Sequence, residues 1–200
     1  MSGPIAIEVV RGAAIAPHID ELAALRISVF REWPYLYDGD HEYEAAYLAD
    51  YASSSDAVVV LARVGGRVIG AATAMPLLAH AREVIAPLVD AGYRAEDVYY
   101  FGESVLEPAW RGRGIGHAFF DHREAIGAEV NLPVFAFCAV MRPTDHPRRP
   151  ARARDLTGFW RRRGYQPRPD ICGTMRWKDL DDAPGLDSEK PMQFWLKERT

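Results

Sequence analysis

The chain has 200 residues, 48% of them hydrophobic, and a formal net charge of −4. That length suits a single domain, residues 1–200, with a proper core, and the charge excludes a global attraction to nucleic acid or to a membrane surface. Two cysteines make no disulfide framework at this length and no apolar run approaches a membrane span, so a cytoplasmic protein with no membrane partner is expected.

Met1-Ser2-Gly3-Pro4 leads without a cleavable signal into an alternating strand pattern at Ile5, Ile7 and Val9, of edge type. From Ile19 the period changes: Leu22, Leu25, Val29 and Trp33 share one helical face, with Asp20 and Glu21 in the first turn, and Pro34 ends the helix. A loop from Pro34 to Gly39 follows, and Asp40 is the expected N-cap of a second helix carrying Tyr43, Tyr47 and Tyr51 on one stripe. The apolar runs Ala57–Ala62 and Val68–Ala74 flank Gly65-Gly66, a hairpin signal. Residues 79–97 read as a helical segment interrupted or kinked at Pro87, and Val98–Leu106 as an aromatic-rich strand.

That strand feeds the run Arg111-Gly112-Arg113-Gly114-Ile115-Gly116, behind which a helix begins. Its inward stripe is expected to be Ile115, Ala118, Phe119, His122 and Ile126, with His117, Asp121 and Glu124 outward. Val134–Val140 reads as a strand buried on both faces, with Cys138 a buried free thiol. A Pro/Arg-rich loop from Arg142 to Arg154 leads to a helix around Leu156–Arg163, stopped by Gly164. Two last strands fall around Thr174–Trp177 and Gln193–Lys197, joined by the acidic turn Asp179–Glu189.

The glycine run carries most of the chemistry. The first N–H groups of a helix lack internal partners and hold partial positive charge, so beside Arg111 and Arg113 they form a phosphate cradle. Spacing separates the known loops of this kind. His117 and Ala118 stand where a P-loop needs Lys and Ser/Thr, and the order Gly-x-Gly-x-Gly, deep in the chain, is not a dinucleotide fingerprint. The pattern Val105-Leu106-x-Pro108-x-x-Arg111-Gly112-x-Gly114-Ile115-Gly116, closing a strand and opening a helix, resembles the acyl-CoA pyrophosphate loop of the GNAT superfamily of N-acetyltransferases. The order β-α-α-β-β-(insert)-β-α-β-α-β-β is also similar to that family's, and Gly164-Tyr165 after Phe159-Trp160 resembles the ending of its last helix.

The resemblance implies an α/β (α+β) fold, a mixed and mostly antiparallel central sheet flanked by helices. It also implies direct transfer of an acetyl group from acetyl-CoA to a primary amine. Separately, His18, His41, His80, His117, His122 and His146 are scattered without metal-ligand spacing, so no metal is expected. The Arg111–His117 backbone, including Gly112, Arg113, Gly114, Ile115 and Gly116, would hold the cofactor; Arg113 is either a charge partner or a solvated loop arginine. A backbone N–H of a bulged strand, Val105 or Leu106, would polarise the thioester oxygen. Glu103 is the first choice of general base; the alternative is that it pairs with a nearby arginine or a main-chain donor. Tyr35, Tyr37, Asp38 and Glu42 form a second set that would line the acceptor pocket. The family's tyrosine acid is replaced by Trp160, whose indole hydrogen-bonds but cannot protonate a leaving group at neutral pH; Ser104 and Tyr165 are substitutes or structural residues.

Nine arginines against Asp145 and Asp155 between Arg142 and Arg168 make either a site for the CoA 3′-phosphate or an acidic acceptor, or a solvated face. Nucleic-acid binding ranks third, since the patch is local. The expected partners are a small amine and, by resemblance alone, a second copy in a homodimer. The rival function is an acyl-CoA-binding sensor of the same fold without turnover.

Overall fold

The computed structural model describes residues 3–199. One seven-stranded sheet runs in the order β1-β2-β3-β4-β5-β7-β6. Its strands are β1 (Ala6–Arg11), β2 (Val58–Val64), β3 (Arg67–Pro76), β4 (Val98–Leu106), β5 (Val134–Val140), β6 (Gln166–Trp177) and β7 (Ser188–Glu198). Every neighbouring pair is antiparallel except β4 with β5. Helices α1 (Ile19–Phe30) and α2 (His41–Ser53) lie between β1 and β2, and α3 (Arg82–Asp90) is the insert before β4. Helix α4 (Ile115–Glu129) crosses from β4 to β5, and the short α5 (Thr157–Arg162) precedes β6. Among the described residues no helix is long and apolar enough to cross a membrane.

The local choices explain most of these elements. Asp40 caps α2 through the Tyr43 N–H at 3.0 Å, and Gly65-Gly66, both at positive φ, turn the β2–β3 hairpin. β2 and β3 are buried on both faces, which suits their Val and Ala runs. The last two strands are longer than their apolar stretches predict. β6 starts at Gln166 because it is an outer edge, where Pro167 and Pro169 cost no ladder bond, and a register shift between Arg168 and Cys172 absorbs the extra residues.

One aromatic core lies under α4, where Phe101, Phe119, Phe120, Phe135, Phe137, Tyr165 and Trp195 meet. The inward face of α4 is rotated from the expected one. Arg123 is buried while His122 is exposed, because the face that meets the sheet comprises Phe119, Phe120, Arg123, Ile126 and Gly127. Glu124 is half-buried rather than outward, taking a hydrogen bond from the Tyr165 hydroxyl at 3.1 Å and pairing with Lys197 at 2.9 Å. On the opposite face, His80 sits edge-on to Tyr51 and Tyr100, its Nε2 buried without a hydrogen-bond partner.

Two consequences can be measured. A Cβ on Gly127 would stand 2.6 Å from Phe135 and 2.7 Å from Tyr99, so Gly127→Ala is expected to overpack the helix–sheet contact. A loss of about 1–3 kcal/mol should appear as a lower urea midpoint at unchanged slope. Burial pushes the His80 imidazole down from 6.5 to about 4. Between those values the unfolded chain binds a proton that the folded chain refuses. Stability is therefore complete above pH 6.5 and falls on acidification, by about 3 kcal/mol at full extent. His80→Gln should flatten that part of the stability profile; an identical slope in both proteins would show that another group is responsible.

Candidate active site

Strand β4 pairs with β5 only through Val98, Tyr100 and the residue between them, opposite Val134–Ala136, and the two strands then part. The second half of β4 keeps β3 on one side and leaves its other edge open. Alternation decides which groups face the opening. The Glu103 N–H goes to Thr73 Oγ1 at 3.1 Å and the Glu107 N–H to the Ile69 carbonyl at 3.0 Å, both toward β3. Val105 lies in the same phase, so the N–H groups of Ser104 and Leu106 project into the opening. Of the two expected donors, Leu106 faces the splay and Val105 faces β3. The register shift stands further back than expected, where Gly102 and Glu103 oppose Thr73.

The glycine loop follows directly. Gly112 and Gly114 take φ of 81° and 85°, a conformation that side chains resist, and no protein atom would obstruct a Cβ at either. Among the described residues, the N–H groups from Gly112 to Gly116 have no backbone acceptor, whereas those of His117 and Ala118 return to the Gly114 carbonyl. Ile115 is buried and anchors the helix start. Arg111 binds the Leu106 carbonyl at 3.0 Å and Glu32 at 2.9 Å, tying the loop to the splayed strand, and Arg113 lies over Trp110 at 4.7 Å. The His117 ring meets Phe159 at 4.9 Å and its Nδ1 is 3.3 Å from Arg163. A row of free N–H groups beside two arginines fits a diphosphate such as that of CoA.

Across β4, on the side of α1 and α2, lies a buried charge cluster. Arg26 bonds Glu44 through Nε and Glu103 through one terminal nitrogen, and its guanidinium lies 4.4 Å over the Tyr47 ring. The side chains of Arg26, Glu44 and Glu103 are 10%, 1% and 9% exposed. The Tyr47 hydroxyl is 3.3 Å from Glu103 and 3.2 Å from the Tyr51 hydroxyl. Burial alone would depress the Arg26 guanidinium, but the charges of Glu103 and Glu44 hold its pKa above the ordinary value. Burial, then the Glu103 carboxylate, raises Tyr47 and Tyr51, so both phenols are neutral donors at physiological pH.

The loop before α2 reaches the edge of this cluster. Burial raises the pKa of Tyr35, with further increments from Cys138 and Glu103, and burial followed by Glu44 raises that of Tyr37. Their backbone is fastened to the C-terminal hairpin. Arg142 binds the Pro34 carbonyl at 2.9 Å and Asp179 at 2.6 Å, and the Trp177 indole donates to the Tyr35 carbonyl at 3.2 Å. Asp38 is held by Lys178 and Arg31, which lower its pKa.

Not every candidate converges. Glu42 is exposed on α2, and Glu44 is the carboxylate of that helix that turns inward. Ser104 is exposed in the splay and accepts a hydrogen bond from Arg123 at 2.9 Å. Trp160 packs edge-on against Phe137 and Trp195 at 5.1 and 5.0 Å, and the Tyr165 hydroxyl is engaged with Glu124. Arg26, Glu44 and Arg123 escaped the sequence reading. The one available signal was a charged residue inside an apolar helical stripe, as Arg26 is between Leu22 and Val29.

Comparison with known proteins agrees with this architecture. Residues 23–154 match the family model described as "Acetyltransferase (GNAT) family". No curated protein matches the chain in sequence. Among solved structures, an acetyltransferase of the GNAT family from Streptococcus pneumoniae is similar at 14% identity and TM-score 0.59, with 98% of this chain and 100% of that one covered. A ribosomal-protein-alanine N-acetyltransferase from Brucella melitensis is similar at 14% identity and TM-score 0.60, covering 96% and 99%. AAC(6')-Iy, bound to the bisubstrate analogue CoA-S-monomethyl-acetylneamine, is similar at 15% identity and TM-score 0.51, covering 72% and 83%. Identities this low speak to the fold alone, but the family model spans more than half of the sequence, and the chain belongs to the GNAT family of acetyltransferases.

Proposed function

We propose that this chain transfers an acetyl group from acetyl-CoA to a primary amine of a small acceptor, as a single domain in which one sheet incorporates both ends of the chain. One observation carries the reading: within a few residues of β4, an open N–H at Leu106 and a buried carboxylate at Glu103 flank the splay, with the glycine loop immediately beyond. Bound acetyl-CoA supplies an activated acyl group on a thiol leaving group. The N–H groups of Gly112 to Gly116, with Arg111 and Arg113, hold its diphosphate. The Leu106 N–H polarises the thioester oxygen. Glu103 takes the proton of the amine, directly or through water, and Tyr35, Tyr37 and Tyr47 surround the acceptor. A thiolate of pKa ~8.5 leaves without an acid, so Trp160 is no obstacle.

The second reading, an acyl-CoA sensor, draws on Trp160 and on the ion pair that engages Glu103. Calorimetry with acetyl-CoA tests the donor site common to both, and no binding at micromolar concentrations would overturn both. Thiol release against an amine panel separates them. Glu103→Gln is expected to lower turnover by on the order of 10²-fold, to leave acetyl-CoA affinity unchanged and to steepen the rise of rate with pH. An unaltered rate and profile would remove Glu103 as the base.

A further inference from the structure

The β3–β4 ladder is irregular at one place, directly under the splay. Ala72 faces Ser104 and Ala74 faces Phe101, so Thr73 alone stands against Gly102 and Glu103. An inserted residue of this kind breaks the ladder and leaves carbonyl groups without strand donors. Here those carbonyls are inside the protein, where an unpaired acceptor is costly.

Arg123 supplies the donors. From the inner face of α4 its guanidinium reaches the Thr73 carbonyl at 3.2 Å, the Glu103 carbonyl at 3.3 Å and Ser104 Oγ at 2.9 Å, while its Nε stays on the Phe119 carbonyl at 3.1 Å. It is 1% exposed and lies 4.4 Å and 4.9 Å from the ring centres of Phe101 and Phe120. Its hydrogen-bond partners are carbonyls and a hydroxyl, with no carboxylate among them. An apolar residue of this size would avoid the desolvation cost, and an ammonium cannot serve three acceptors from one planar fork. The far side of the bulge is equally tight, since a Cβ on Gly102 would run into Thr73 Oγ1 and the Tyr51 hydroxyl.

We infer that Arg123 is a positioning residue for acyl transfer: its guanidinium replaces the missing ladder donors and holds the bulge at Gly102–Glu103 in one register. A slip of one residue sends every side chain of a strand to the other face. Glu103 would leave Arg26 and Tyr47, and the Leu106 N–H would turn away from the opening. The kinetic half of this inference rests on the acetyl-transfer reading above; the structural half stands without it.

The test uses the full chain. In wild type, the Arg123 guanidinium protons should exchange slowly with solvent. In Arg123→Lys and Arg123→Met, amide exchange should accelerate at Glu103 and Val105, whose N–H groups face β3, while the β2–β3 hairpin stays protected. Turnover should fall by on the order of 10²-fold, with acetyl-CoA affinity changed by less than about 3-fold. Methylguanidinium, but not uncharged urea at the same concentration, should restore part of the turnover of Arg123→Ala. Fast-exchanging guanidinium protons in wild type, wild-type turnover in a folded variant, or exchange that rises equally over the whole sheet overturns the inference. The exchange measurements need no substrate. If wild type neither binds acetyl-CoA nor releases thiol, the reading of the site fails and takes the kinetic half with it, while protected guanidinium protons still establish the brace.

Discussion

The pairing of β4 with β5 stops after Tyr100 and Ala136, and the working parts of the molecule are arranged around that interruption. A parallel pair that ran on would consume the N–H groups of Ser104 and Leu106 in a ladder and would close the gap in the sheet. The strands are instead held apart by bulk. Phe101 of β4 stacks on Phe135 of β5 at 5.7 Å, and Phe120 of α4 wedges edge-on against Phe101 of β4 and Phe137 of β5. Rings of this size fill the space under the divergence without polar atoms that would demand partners. The aromatic wedge lies under the divergence, and the bulge at Gly102–Glu103 sets which N–H groups of β4 face it.

The two faces of β4 solve the problem of buried charge in opposite ways. On the α1–α2 face, Arg26 meets two carboxylates and the ring face of Tyr47, so its charge is more than balanced. On the α4 face, Arg123 has only carbonyl dipoles, a hydroxyl and ring faces, and burial lowers its pKa to about 10, still well above neutral pH. Removing one partner of such groups leaves an uncompensated charge or acceptor in low dielectric, which costs far more than the interaction contributes net. Both arrangements act on the same few residues of β4, and together they define where Glu103 points.

How much of this was legible in the chain depended on the range of the interaction. The glycine loop was readable because its requirements are local: positive φ at Gly112 and Gly114 and free N–H groups at a helix start follow from neighbouring residues. The hairpin at Gly65-Gly66 and the cap at Asp40 were readable for the same reason. Strand β6 was half hidden, since prolines and charges are the composition of a turn unless the segment is known to be an edge. The helix phases failed where polar groups face inward. A stripe drawn on hydropathy chose His122 over Arg123 and overlooked Arg26 and Glu44, because nothing within their own helices announces the carbonyls or carboxylates waiting on another element.

The same distinction bears on the acceptor side. The phenols of Tyr35, Tyr47 and Tyr51 are held neutral, so the cluster's formal charge comes from Arg26 against Glu44 and Glu103 and leaves one carboxylate in excess. A buried excess of negative charge is unfavourable until a cation approaches it, and an ammonium group arriving through the splay would meet that need. An acceptor bearing its own carboxylate beside the amine would not, unless it reached past the cluster to the arginines of the 142–163 segment. Arg142, Arg148 and Arg163 are already engaged with Asp179, Asp181 and Asp121, and Arg149 with the Thr144 carbonyl, so of that segment's arginines Arg152, Arg154, Arg161 and Arg162 are the ones without a carboxylate or carbonyl partner among the described residues. On the proposed reading, selection among amines is therefore made by what the acceptor carries away from its nitrogen, at the rim, rather than by the nitrogen itself.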